Sequence, residues 1–450
     1  MPAGNPALNF KAQAGYNFDG YTALIRLEKV EMMSAKGRLL PKLEKITGNK
    51  LPHLFPALAT LLILGGFLAG GSLYARQVEQ KNVNVLAPAR PKQAVFGSAL
   101  QEAAFRQPDL LLIYGSSEVY MEEDEDSASQ FFRSYPTDFT VFEVATAGVT
   151  SLELAENLAA LGPEIKGKKI VISFTPDMFT RDQVRATAYA GDFSRLHAYE
   201  LVFSPYLSYA LKQHLAQRML DYPDTLAKDS LLEFAMKQLA RQSRLSIFMY
   251  YLSLPAGQLQ TQVIRLQDHW AVLNWIHSHP TALLPAERRP KAIDWKAEME
   301  RAQKLQVELT SSNGYGIDET LWKTKYQASL ARKVVPHSLN NYFVHEVANS
   351  KEWEDFDILL SVLKETGAQP LILSRPLNGT IWNAMGVSES ARQFFYDSLQ
   401  KAVQPYGFPL VDFSDQDTNR FFSIDLSSHT SRLGWVYIDQ ALDNFYHGRN

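Results

Sequence analysis

Two short stretches, far apart in the chain, hold side chains that together could move an acyl group. Gly115-Ser116-Ser117-Glu118 follows an apolar run, and Asp425-Leu426-Ser427-Ser428-His429 lies near the end of the chain. A serine alcohol is a poor nucleophile until an imidazole removes its proton, and that imidazole needs an acceptor to fix its tautomer. A serine on a tight strand-to-helix turn is exposed at the carboxyl edge of a sheet, where backbone N–H groups can face an oxyanion. Taken singly, each stretch has a plainer reading: Ser116 as a helix N-cap, and Asp425 near His429 as a chance pairing. Asp177, after another apolar run, falls at the same edge and fits a cap equally well. His277-Ser278-His279 has metal-like spacing but no third ligand at helical distance, so the sequence calls for no metal. The acidic run Glu122-Glu123-Asp124-Glu125-Asp126 reads as a solvated loop. Trp382, Trp435 and Tyr437 read as core. With no glycine-rich phosphate loop, no cofactor is expected.

The elements that must position these residues alternate. Leu110–Tyr114, Phe139–Val144, Lys169–Phe174, Pro370–Leu373 and Phe408–Val411 are short apolar runs, as expected of strands buried on both faces. Thr150-Ser151-Leu152-Glu153 fits a capping box that opens a helix through Leu161, stopped by Gly162-Pro163. Helical stretches at Trp353–Thr366 and Ser388–Val403 end near Gly367 and Gly407. Such alternation predicts an α/β fold, a parallel sheet with helices on both faces and its ligands beyond the carboxyl ends of the strands. The middle, about 184–340, does not alternate; Ser230–Ala240 and Trp295–Leu309 carry helical spacing, and the region is expected to be a helical insertion capping the sheet.

The chain has 450 residues, 46% of them apolar, and a net charge of −3, which excludes a disordered chain and offers no basic excess for nucleic acid. It has no cysteine, which removes disulfides, thiolate metal sites and a cysteine nucleophile. Leu54–Ala75 carries no charged residue, and its 22 residues would span about 33 Å as a helix, enough for a hydrocarbon core of about 30 Å. Lys36, Arg38, Lys42, Lys45 and Lys50 precede it, so residues 1–53 are expected to be a cytoplasmic tail. Residues 54–75 then form the single transmembrane helix, 76–95 a polar linker, and 96–450 an extracytoplasmic domain. Met32 or Met33 could equally be the start.

Behind one membrane helix, the blocks Ile113-Tyr114-Gly115-Ser116-Ser117-Glu118, Gly191-Asp192-Phe193-Ser194 and Arg375-Pro376-Leu377-Asn378-Gly379 occur in order. Val411-Asp412-Phe413-Ser414-Asp415, Phe421-Phe422, Asp425, His429, Gly434-Trp435, Asp439 and Phe445-Tyr446 close the series. In these the sequence resembles the DltD family, the D-alanyl transfer proteins of teichoic-acid D-alanylation. The resemblance implies an SGNH-hydrolase-like fold, a three-layer α/β/α sandwich. It implies Ser117 as nucleophile, His429 as base, Asp425 as its orienting acid, and Gly148 as a backbone donor to the oxyanion. It also implies a partner membrane O-acyltransferase, a carrier-derived D-alanyl donor and a teichoic-acid acceptor. Two departures stand out. The family pattern is Asp-x-x-His, whereas three residues separate Asp425 from His429, and Thr175-Pro176-Asp177 stands where esterases carry Gly-x-Asn. Other readings of the same residues are an O-acetyltransferase or esterase of envelope glycans, and a non-catalytic scaffold for the membrane acyltransferase.

Overall fold

The computed structural model describes residues 54–86, 89, 91–120, 125–135, 137–181, 184–279, 292–332, 334–426 and 429–449. The N-terminal tail with its basic cluster, most of the acidic run, and Ser427 and Ser428 lie outside the described residues. Contacts divide the chain into Met1–Gly65 and Gly66–Asn450.

Helix α1 (Leu54–Leu86) contains a stretch long and apolar enough to cross a membrane, with mean hydropathy 1.7 and no part of that stretch buried. It does not stop at Ala75. The expected linker 76–95 is helical as far as Leu86, because Ala75, Glu79, Val83 and Leu86 recur at helical spacing and are all buried. Glu79, the one charge on that stripe, is held by the His269 ring at 2.7 Å.

Strands β1 (Leu110–Gly115), β2 (Thr140–Ala145), β3 (Lys169–Phe174), β4 (Gln369–Ser374) and β5 (Leu410–Val411) form one parallel sheet in the order β2-β1-β3-β4-β5. The α/β fold expected from the alternating pattern is therefore present. Leu112 and Tyr114 of β1 enter one core, while Leu111 and Ile113 enter a second on the opposite face. That division is why the strand reads as an unbroken apolar run. β5 is shorter than its sequence suggests. Pro409 has no N–H to give a ladder and serves only as an acceptor for Ile372 N–H, at 2.9 Å.

The first face is covered by α2 (Ser151–Leu161), α3 (Arg195–Val202), α4 (Glu352–Thr366) and α5 (Glu389–Val403). α2 begins at the expected capping box on Thr150, and α4 ends on Gly367 in the left-handed region. The other face is covered by α6 (Arg432–His447) with the shorter helix Ala128–Ser134. The helices of the insertion run from Ala186 to Asn349, ahead of α4. Much of this insertion thickens the first face rather than roofing the sheet, since Leu196, Leu201, Leu215 and Leu239 join the same core. Its later part, around Ile317 and Tyr326, packs against Ile381 and Leu426 near the carboxyl edge.

The reversal of strand order lies between β1 and β3. Their pairing covers only Leu112–Tyr114 against Ile170–Ile172, whereas β3 and β4 stay paired as far as Phe174 and Ser374. Beyond Tyr114 the chains part, which opens the crevice where sheets of this order bind ligands.

Candidate active site

Gly115 ends β1, and a Cβ there would stand 2.6 Å from Glu118 Oε1 and Val119 Cγ2. The missing side chain lets the turn fold tightly enough for Glu118 to accept the Ser116 N–H at 3.1 Å. Ser117 is the first residue of the short helix Ser117–Tyr120. The two serines face different surroundings. Ser116 is buried and its hydroxyl accepts the Gly148 N–H at 3.0 Å, whereas the Ser117 hydroxyl meets the His429 ring.

His429 comes from a loop closed on itself. Ser423 and Thr430 form an antiparallel bridge, and Ile424 N–H donates to the His429 carbonyl at 2.9 Å. This closure returns His429 over Asp425: one carboxylate oxygen accepts the His429 backbone N–H at 3.2 Å, and the other lies 2.7 Å from Nδ1. The opposite ring nitrogen, Nε2, is 2.9 Å from Ser117 Oγ. With the carboxylate on Nδ1, the proton of the neutral ring belongs there and the Nε2 lone pair faces the serine. The three-residue spacing therefore still places Asp425 against Nδ1. Asp417, another acid a few residues upstream, is committed to Arg392 and the Tyr396 hydroxyl.

Burial works against charging the His429 ring. The hydrogen bond and charge of Asp425, with Glu118 and Asp177 further off, outweigh it and raise the ring above the ordinary imidazole value.

Beneath the serine lies a buried pair that the sequence did not single out. Glu118 and Arg375 are both fully enclosed, their closest approach is 4.0 Å, and the Ser173 hydroxyl bridges them. Arg375 also donates to the Glu118 carbonyl at 3.1 Å and, through Nε, to Thr430 Oγ1 at 2.6 Å. One guanidinium thus ties the serine turn, the end of β3 and the histidine loop together. Burial raises the Glu118 carboxyl, and Arg375 with the Ser116 backbone opposes that rise. Trp435 lies 5.2 Å beneath the guanidinium, a core position as expected, and Asn378 donates to the Ser423 carbonyl at 3.4 Å.

Asp177 stands after β3, with one oxygen taken by the Thr175 hydroxyl and the other by Arg181 at 2.8 Å. Gly148, at φ +100°, carries the N–H that Ser116 holds. Tyr326, from the insertion, accepts the Leu426 N–H at 3.3 Å and so braces the loop that carries Asp425. His277 and His279 sit at the end of the long helix Arg244–Ser278, where the His279 ring stacks on Trp275.

A parallel α/β sheet with serine, histidine and aspartate in one hydrogen-bonded line at its switch point defines the class of this protein. The family model described as "DltD protein" matches residues 88–447, and the chain belongs to the DltD family. It is similar to Protein DltD of Bacillus subtilis (strain 168), 26% identical over 389 residues, covering 86% of this chain and 95% of the relative. It is also similar to Protein DltD of Staphylococcus aureus (strain NCTC 8325 / PS 47), 25% identical over 394 residues, covering 87% of this chain and 95% of the relative. The family resemblance carried by the sequence blocks is thereby borne out.

Proposed function

We propose that the chain is a membrane-anchored acyltransferase that passes D-alanyl groups through Ser117 to teichoic acid on the outer side of the membrane. The observation that carries this reading is the unbroken line Ser117 Oγ, His429 Nε2, His429 Nδ1, Asp425 Oδ2, with steps of 2.9 and 2.7 Å. Family membership supplies the acyl group and the acceptor.

In the first half-reaction Ser117 Oγ attacks the carbonyl carbon of a D-alanyl thioester or ester while Nε2 takes the hydroxyl proton. The tetrahedral intermediate collapses, the imidazolium gives that proton to the leaving thiol or alcohol, and D-alanyl-serine remains. In the second, His429 takes the proton of a polymer hydroxyl, that oxygen attacks the acyl-serine, and the proton returns to Ser117 Oγ. Asp425 stays ionised and stabilises the imidazolium at both stages.

The oxyanion arrangement favours transfer over fast hydrolysis. The Gly148 N–H is engaged by Ser116, and Asp177 brings a paired carboxylate where esterases place an amide donor. Losing one oxyanion donor costs roughly 10²–10³ in rate. The basic residues before α1 favour an inside N-terminus, and the family resemblance implies as partner a membrane O-acyltransferase that delivers the acyl group from its carrier.

The test is covalent labelling of the full chain in detergent by a fluorophosphonate and by a D-alanyl thioester, read by intact mass. Both should add to Ser117, and Ser117→Ala and His429→Ala should abolish the addition. An unlabelled wild-type chain that still supports wall D-alanylation would leave the scaffold reading standing.

A further inference from the structure

Beside the serine turn is a small cavity of about 20 Å³ bordered by Gly115, Glu153, Asn157, Asp192 and His197. Glu153, Asn157 and His197 are buried, and among the described residues three of their atoms have no hydrogen-bond partner: Glu153 Oε1, Asn157 Oδ1 and His197 Nε2. All three are acceptors. The other Glu153 oxygen is taken by the capping box, and the His197 ring is bonded to the Gly97 backbone, which leaves Nε2 as a bare lone pair on a neutral ring. Among the described residues, no lysine or arginine lines the cavity. Buried acceptors without donors carry a desolvation cost that only a donor can relieve, and here the donor must fit the space of one water molecule.

Asp192 adds the charge. Its Oδ2 lies 3.0 Å from the position a Cβ of Gly148 would take, so the carboxylate abuts the backbone that Ser116 holds. Burial and the neighbouring Glu153 push Asp192 up to about 7. Val144, Ala145 and Val149 supply an apolar wall beside it. A group that is cationic, water-sized, rich in donors and attached next to a methyl satisfies every one of these surfaces.

We propose that Asp192, Glu153, Asn157 and His197 form a subsite for the α-ammonium of the aminoacyl group that Ser117 carries. This rests on the acyl-serine reading above for its link to catalysis, but binding in the pocket is measurable without it. The ammonium's three N–H groups meet acceptors that otherwise have none, and its charge meets Asp192. The subsite would select aminoacyl over hydroxyacyl or plain acyl donors.

The test uses the full chain carrying Ser117→Ala, in detergent, so that no ester is consumed. D-alanine methyl ester and methyl D-lactate, which differ in ammonium against hydroxyl, are titrated by calorimetry. The amine should bind at least about tenfold more tightly, the span expected of a charge-assisted hydrogen bond. Adding Asp192→Asn, or separately Asn157→Leu, should erase that preference while the thermal midpoint of each variant confirms folding. Equal binding of the two esters, or a preference that survives both substitutions in folded protein, overturns the subsite. Failure of Ser117 to acylate in the wild type, with amine binding intact, would instead overturn the acyl-serine reading and leave the pocket.

Discussion

His197 is buried and His429 half-buried, and their rings are tuned in opposite directions. For His197, burial dominates and pulls the ring down to about 4, against the single opposing bond to Gly97. For His429, burial pulls the same way but is overcome by Asp425, whose carboxylate touches Nδ1. One ring therefore has both nitrogens engaged and a proton to exchange. The other is a fixed neutral acceptor with an open lone pair. A carboxylate on Nδ1 overcomes the burial that otherwise holds an enclosed imidazole neutral.

The largest way to break this contrast is to remove the exchanging ring. His429→Ala, like Ser117→Ala, should lower D-alanyl transfer by roughly 10⁴–10⁶ at matched protein level, measured as ester content of the wall polymer. Asp425→Asn comes next, with an expected fall of roughly 10⁴, because the amide favours the wrong tautomer. The wild-type acylation rate should rise with pH through a midpoint above about 6.5, since the base must be neutral and Asp425 raises its pKa. In Asp425→Asn that midpoint should fall. A silent Asp425→Asn would make the two rings equivalent and end the comparison.

Arg375→Met tests the support beneath. It strands Glu118 in the core, and a loss of about 3–5 kcal/mol in unfolding free energy is expected by denaturant titration. For His197 the sign follows from a folded pKa of about 4 below an unfolded value of about 6.5. The unfolded chain binds the proton first, so this ring's contribution is complete above about 6.5 and lost as pH falls toward 4. Its size is on the order of 3 kcal/mol, and the stability difference between wild type and His197→Gln should shrink over that window. The smallest effect belongs to Ser116→Ala. It frees the Gly148 N–H for the oxyanion and should change the rate by less than about tenfold with the fold intact.

Much of this fold was readable because its signals are local. The capping box at Thr150, the glycine stop at Gly367 and the apolar run of Lys169–Phe174 each depend on a handful of neighbouring residues. The helix beyond Ala75 was hidden for the opposite reason: Arg76–Leu86 is polar on average, and only the stripe Ala75, Glu79, Val83, Leu86 shows that it packs. The site divides in the same way. Ser117, Asp425 and His429 sit in recognisable short blocks, but the Glu118–Ser173–Arg375 bridge joins the ends of three strands and leaves no pattern along the chain. A signal did exist, since Arg375 directly follows β4 and Glu118 comes three residues after β1, and opposite charges near the ends of nearby strands need partners. The pocket acids were hidden further still. Glu153 announces itself as a helix cap, and nothing in the sequence says that its second oxygen is left over.

The histidine loop sets an order of events during folding. Asp425 and His429 are four residues apart and are held by a bridge between Ser423 and Thr430, so the pair can form early at small entropic cost. Ser117 is 312 residues from His429 and meets it only when β1, β3 and β4 have assembled. Contacts of such separation form late. An unfolded or partly folded chain therefore carries a serine with no base beside it. On the proposed acyl-serine reading, the hydroxyl gains its base only as the sheet closes.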